Sequence, residues 1–449
     1  MKILSLCGLL GYGYEEASLQ YALERGVDVI GVDAGSTDPG PYYLGSGNSF
    51  TNYGAVKRDL VLALPEAIKR KIPLIIGTAG GSGSKVHLEW CRRIIEEIAV
   101  EHHLHFTMGI IETDVSAEYI KNKIRQGRTK ELAGGLELTE ENVDKCTHIV
   151  SQIGAEPFIR LLEKRVDVIL AGRACDTAIY TAPAIKAGYD EGLALHMAKI
   201  MECGALCAEP MTASDVILGE IEKDFFTLEP ANLERRCTVE RVAAHTMYEQ
   251  SNPYFIYEPD GMADLRYSQY EQVNERRVKV SNSLFVPAEK YTLKIEGSML
   301  TGYRTICIAQ INDPLTIMHL DELIDKACVF VKANLKNSVD TDSYKVYLRR
   351  FGDAIPGINV QKSVVNSLGI IIDVVAKTQA TANTICALTR ARLLHTDYSG
   401  RKSSAGNLAF PFSPSDIPVG PVYNFGIYHL VEADDPLETS KTTIVQVGV

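Results

Sequence analysis

The sequence predicts an α/β protein, with an N-terminal doubly wound, mostly parallel sheet of Rossmann-like type and a mixed α+β domain after it. Three observations carry this reading. Short apolar runs alternate with amphipathic helical segments across residues 2–187. The runs are rich in Val and Ile on both alternating sets of positions, as expected of strands buried between two helix layers. Beyond about residue 225 the rhythm changes to shorter β-like runs separated by turns. The expected domains are therefore 1–225 and 226–449.

Residues 2–7 read as the first strand. A secretion signal fits less well, because the apolar run is short and Glu15 and Glu16 follow it. A helix over 15–25 ends at Gly26, a residue suited to a helix C-terminus. Strand 27–32 follows. Helices at 54–70 and 84–101 then precede strands 73–76 and 105–111, and a further helix covers 116–126. Strands 147–152 and 166–171 each lead into a helix, at 156–164 and 177–187. In the second half, 278–285, 291–295, 305–311 and 369–375 read as strands, 320–334 and 379–394 as helices, and the Tyr-, Asn- and Pro-rich stretch 250–275 as loop.

Right-handed crossovers place the turns after parallel strands on one edge, where open α/β sheets bind ligands. The turns are the candidate site for that reason. Asp33 stands at the end of the second strand, before Ser36 and Thr37 in a long Gly/Pro loop, as an acid, a base or a metal ligand. Thr78, Gly80, Gly81, Ser82 and Gly83 form a glycine-rich segment before a helix, a pattern suited to cradling an anion. Ser84 stands where a Walker A loop needs glycine, and Gly8, Gly11 and Gly13 do not make a dinucleotide fingerprint, so no nucleotide fold is inferred. Glu112, Glu156 and Asp176 follow other strands and converge on the same edge; each also suits a helix N-terminus. Clustered carboxylates serve acid–base chemistry or hold Mg²⁺, although no spacing demands a metal, and Arg173 suits a substrate carboxylate. His196, Lys199, Cys203 and Cys207 fall on one helical face, where a lysine or histidine activates a thiol or the cysteines simply fill the core. The segment around Gly406 and Asn407, with Phe410, Pro411, Phe412 and Pro414, reads as a rigid loop that lids the site or lines a subunit contact.

Composition narrows the class. The chain has 449 residues, 46% hydrophobic and 23% charged, with a net charge of −11 and no basic stripe, which argues against nucleic acid. Its ten cysteines form no C-x-x-C pair, as expected in a reducing compartment. No apolar run approaches the ~20 residues that span a bilayer. A cytoplasmic protein is expected.

The blocks DAGSTDPGPYYLGSG (33–47), GTAGGSGS (77–84), GRACDTAIYTAPAIKAG (172–188), HMAKIMECGALCAEP (196–210) and NLAFPFSPSD (407–416) together resemble the acyclic terpene utilisation family, the AtuA-like proteins. The resemblance implies catabolism of branched acyclic acids through CoA thioesters, and a small companion subunit. It implies no particular reaction or catalytic residue. The expectation is an enzyme that acts on a small, branched or unbranched, carboxylic acid or acyl-CoA by lyase, hydratase or isomerase chemistry, and assembles as a homo-oligomer. Two alternatives stay open: a hydrolase or transferase with a covalent intermediate on Cys203 or Ser36, and a non-catalytic scaffold or regulatory subunit.

Overall fold

The structure is a computed structural model and describes residues 1–132, 134–211, 214–352, 367–402 and 408–448. Gly406 and Asn407, singled out in the sequence, lie outside the described residues. The class is mixed α/β, with thirteen α-helices among the described residues. The chain divides into two compact units, Met1–Met299 with Phe425–Val449, and Leu300–Asn424.

The first unit is built on a sheet whose parallel strands lie in the order Lys2–Ser5, Val29–Gly35, Leu74–Gly81, Val168–Ala171, Phe106–Glu112. The alternation of side chains explains its layers. Leu4, Ile30, Leu74, Ile76, Met108 and Val168 face the helices Glu16–Glu24, Tyr53–Arg70 and Lys85–Glu101. Ile3, Val29, Ile75, Ile111 and Ile169 face Glu156–Glu163, Ala178–Lys186 and Glu191–Met201. Antiparallel strands extend both sides. Ile217–Ile221, Phe225–Pro230, Val278–Ser281 and Gln269–Gln272 continue from Lys2–Ser5, and Lys441–Val447 pairs with Phe106–Glu112.

Three expectations change. Strand Cys146–Gln152 is not in the parallel sheet; it pairs antiparallel with residues 294–299 of the strand Thr292–Ile311. None of its first three residues is buried and Thr147 is exposed, which an interior parallel strand would not tolerate. The stretch 250–275 holds strands Phe255–Glu258, Gly261–Asp264 and Gln269–Gln272. Its polar composition hides them, because only alternate residues such as Ile256 and Ala263 are buried. The break also falls elsewhere than at 225/226, since strands 217–221, 225–230 and 278–281 complete the N-terminal sheet.

In the second unit, Leu368–Ala376 pairs antiparallel with Tyr344–Phe351 and with residues 303–311. Helices Leu320–Leu335 and Gln379–His395 pack on it through Leu323, Ala327, Val331, Ala382 and Ile385. Among the described residues no helix is long and apolar enough to cross a membrane.

Candidate functional site

A cavity of about 200 Å³ opens at the C-terminal edge of the parallel strands, lined by Gly8, Asp33, Ser36, Asp176, Glu202 and Cys203 among others. Each reaches it by a simple local route. Asp33 is the fifth residue of strand Val29–Gly35 and is 3% exposed. Asp176 follows strand Val168–Ala171 through a turn pinned by the Arg173 amide, which donates to Thr113 Oγ1 at 2.7 Å. Helix Glu191–Met201 stops at Met201, and the chain turns through Gly204 at φ +60°. A Cβ on Gly204 would stand 2.9 Å from the Gly8 nitrogen, so glycine there brings Glu202 and Cys203 against the first turn.

The acids are unusual in what they lack. Asp33 Oδ2 accepts from the Gly35 amide at 3.2 Å, but Asp33 Oδ1 and Asp176 Oδ1 are buried without a hydrogen-bond partner. Burial, then the charge of Asp176, raises the Asp33 pKa well above the carboxylate range, against the pull of Arg173 and Gly35. Burial also raises Asp176, against Arg173 and Lys199. Glu202 is pushed up to about 8 by burial, although the Lys199 ammonium is bonded to it. Burial thus favours the protonated form of each of these three carboxyl groups.

Arg173 is present but not free. It is 2% exposed, its Nε lies 3.1 Å from Glu296 Oε2, and its Nη2 donates to Thr37 Oγ1 at 2.7 Å. Thr37 in turn donates to Glu296 Oε1 at 2.7 Å, and Lys294 Nζ sits 2.8 Å from the same oxygen. Burial disfavours charge on both partners, yet Arg173 and Lys294 outweigh it and hold Glu296 down at about 2. Arg173 and Thr37 therefore brace one wall internally. Asp33, Asp38, Asp176, Glu202 and Glu249 stand around the space, so its lining offers carboxyl groups to an uncharged oxygen acceptor rather than a cation to a carboxylate.

The glycine-rich segment is closely packed against its neighbours. Strand Leu74–Gly81 runs through Gly77, Thr78, Gly80 and Gly81 instead of ending before them. Added Cβ atoms would stand 2.8 Å from His87 at Gly80, 2.6 Å from Phe50 at Gly81 and 2.1 Å from the Arg173 nitrogen at Gly83. Thr78, at φ +42°, accepts from the Ala174 amide at 3.2 Å, and Ser82 is buried beside it. The N-terminus of helix Lys85–Glu101 already has an anion, since Asp114 takes the Lys85 amide.

Other expected residues lie apart. Glu112 is 3.7 Å from Lys85 and lines a different cavity, with Asp114 and Glu438. Glu156 opens helix Glu156–Glu163 and accepts from Tyr291 Oη at 2.8 Å. His196 is fully buried, with Nδ1 2.7 Å from Ser283 Oγ and Nε2 3.0 Å from Thr246 Oγ1, and burial lowers its pKa to about 3. It packs in the core against Phe226 and is not among the residues lining the acid cavity. Cys203 does line the cavity, but it lies past the helix end, and burial followed by Glu202 pushes its thiol pKa up against the opposing pull of Lys199. Cys207 is buried 3.9 Å from Cys237 Sγ. Ser36 lines the cavity with its Oγ accepting from the Asp38 amide at 3.1 Å. Among the described residues no group of three or more His, Cys, Asp or Glu side chains is arranged to hold a metal ion, so the Mg²⁺ compatible with the sequence gains no ligand set.

Two important acids escaped the sequence reading. Glu202 sits beside Cys203 in a helical stretch where its charge looks like solvent-facing polarity. Glu296 lies in an apolar strand, and a charge in that setting is the one signal that marks it for a buried partner.

No curated protein and no solved structure matches the chain. The family model described as acyclic terpene utilisation family protein AtuA matches residues 52–404. That span includes Arg173, Asp176, Glu202 and Cys203, and begins after Asp33. By this match over most of its length, the chain belongs to the acyclic terpene utilisation (AtuA) family.

Proposed function

We propose that this protein is an enzyme that moves a proton on the carbon next to the carbonyl of a small acyl thioester, using Asp33 and Asp176. The observation that carries this is the pair of buried carboxyl oxygens without hydrogen-bond partners, Asp33 Oδ1 and Asp176 Oδ1, on one cavity. Asp33, the more deeply buried, stays protonated and donates to the carbonyl oxygen, where negative charge develops. Asp176, with 34% of its side chain exposed and 3.8 Å from Arg173 Nη1, is the more readily ionised of the two and takes the proton from carbon. Isomerases, hydratases and lyases of acyl thioesters share this step. A thioester suits the acidic lining better than a free carboxylate, and about 200 Å³ suits a short acyl group. A place in acyclic terpene utilisation accords with the family.

The test uses 3-methylbutanoyl-CoA in D₂O, with exchange at the carbon beside the carbonyl followed by NMR and binding by calorimetry. Wild type should bind and exchange. Asp176→Asn should bind and lose exchange, and Asp33→Asn should slow it about 10²-fold or more. Wild-type protein that neither binds nor exchanges, alone or with a companion subunit, overturns the reading and returns the scaffold role. A covalent route through Cys203 or Ser36 has less support, because the thiol is held protonated and Ser36 Oγ is engaged by a backbone amide.

A further inference from the structure

A second, larger cavity of about 700 Å³ lies in the same unit, outside the acid site. One wall is the three-stranded sheet Phe255–Glu258, Gly261–Asp264, Leu284–Pro287. Its inner face, with Ile256, Ala263 and Phe285 paired across the strands, packs on Leu195. An antiparallel sheet covered on one face normally turns polar side chains outward. Here the opposite row is Tyr257, Met262 and Val286, again direct cross-strand partners, and Tyr257 is 61% and Val286 38% exposed. An apolar row on a concave wall calls for an apolar occupant.

The polar groups gather at another part of the cavity. Gln152 and Lys294 are cross-strand partners there, and the Gln152 amide donates to the Ala174 carbonyl at 3.4 Å. Cys175 and Glu258 complete that part, and the Glu258 carboxyl accepts from the Thr177 hydroxyl and the Cys175 thiol. The Lys294 ammonium there is engaged by Glu296, 2.8 Å away.

We propose that this cavity binds a small molecule with a hydrocarbon chain and one uncharged oxygen acceptor, the chain against Tyr257, Met262 and Val286 and the oxygen against the Glu258 carboxyl. Burial raises the Glu258 pKa to about 7, with Asp260 and Asp176 adding to it and Thr177 and Cys175 opposing. Below that pH the group is a carboxylic acid, and its proton is left to donate once both neighbours have used its lone pairs. The volume falls in the range of ordinary ligand pockets. The site is distinct from the acid cavity, though Cys175 and Asp176, consecutive residues, face one each.

The probe is 2-nonanone at pH 6, with 2-butanone as the short comparison, titrated by NMR against the full chain. Wild type should bind 2-nonanone saturably and at least tenfold more tightly than 2-butanone, since each buried methylene contributes about 0.8 kcal/mol. Val286→Trp and Met262→Trp fill the space and should each remove most of that preference; Val286 is exposed enough for its variant to fold. The proposal is overturned if 2-nonanone does not saturate, if both tryptophan variants bind like wild type, or if Val286→Asp splits an oligomer whose second copy covers the face.

Discussion

At the scale of single residues, burial decides which polar groups can react. Asp33 and His196 are both buried, but His196 has each ring nitrogen satisfied while Asp33 has one oxygen with no partner. A satisfied buried histidine belongs to stability. His196→Ala should cost about 2–4 kcal/mol, from the cavity and the two hydroxyls left unpaired, and leave thioester binding intact. The pH dependence follows from its lowered pKa. The unfolded chain takes up a proton near pH 6.5 and the folded one only near 3, so this contribution is present above 6.5 and is lost as pH falls through that window. Urea titrations from pH 7 to 4 should show stability falling in wild type and a shallower fall in His196→Gln. Equal slopes would mean that the imidazole is not held neutral.

At the scale of elements, the sequence made local order legible and long-range pairing illegible. Helices such as Tyr53–Arg70 and Gln379–His395 follow from apolar spacing and from caps at Asn52 and Thr378, all within a few residues. Strand Cys146–Gln152 finds its partner at 294–299, and no local pattern encodes that choice. The acid site divides the same way: Asp33 and Asp176 are visible as carboxylates at strand ends, whereas the bond that occupies Arg173 comes from Glu296 far along the chain. The glycine-rich segment looked like a ligand cradle because glycine's permissiveness is the same whether a ligand or a backbone comes close. A pair of substitutions separates conformational freedom from close approach. Gly83 (φ +70°) and Gly127 (φ +66°) share a backbone angle, but an added Cβ meets the Arg173 backbone at 2.1 Å in the first case and nothing within 4 Å in the second. Gly127→Ala should cost about 1 kcal/mol. Gly83→Ala should cost about 3 kcal/mol or more and, by shifting the turn that carries Asp176, also slow exchange. Equal costs by thermal melting would return the segment to the role of an open loop.

At the scale of the whole chain, the second unit is an insertion. The first unit is left at Met299 and resumed at Phe425, and its last strand, Lys441–Val447, closes the side of the sheet next to Phe106–Glu112. Both cavities are lined only by residues of the first unit. The points of departure and return are close: a Cβ on Gly426 would stand 3.2 Å from Met299 Sδ. A short loop can bridge such a gap at little entropic cost. Replacing 300–424 with a six-residue Gly/Ser linker should therefore leave a protein that melts cooperatively, keeps its α/β circular dichroism and still binds the thioester, because each group named at the acid site remains. A shortened chain that folds but no longer binds would place a required residue in the excised unit, and one that does not fold would show that the ten-stranded sheet is not a self-sufficient core.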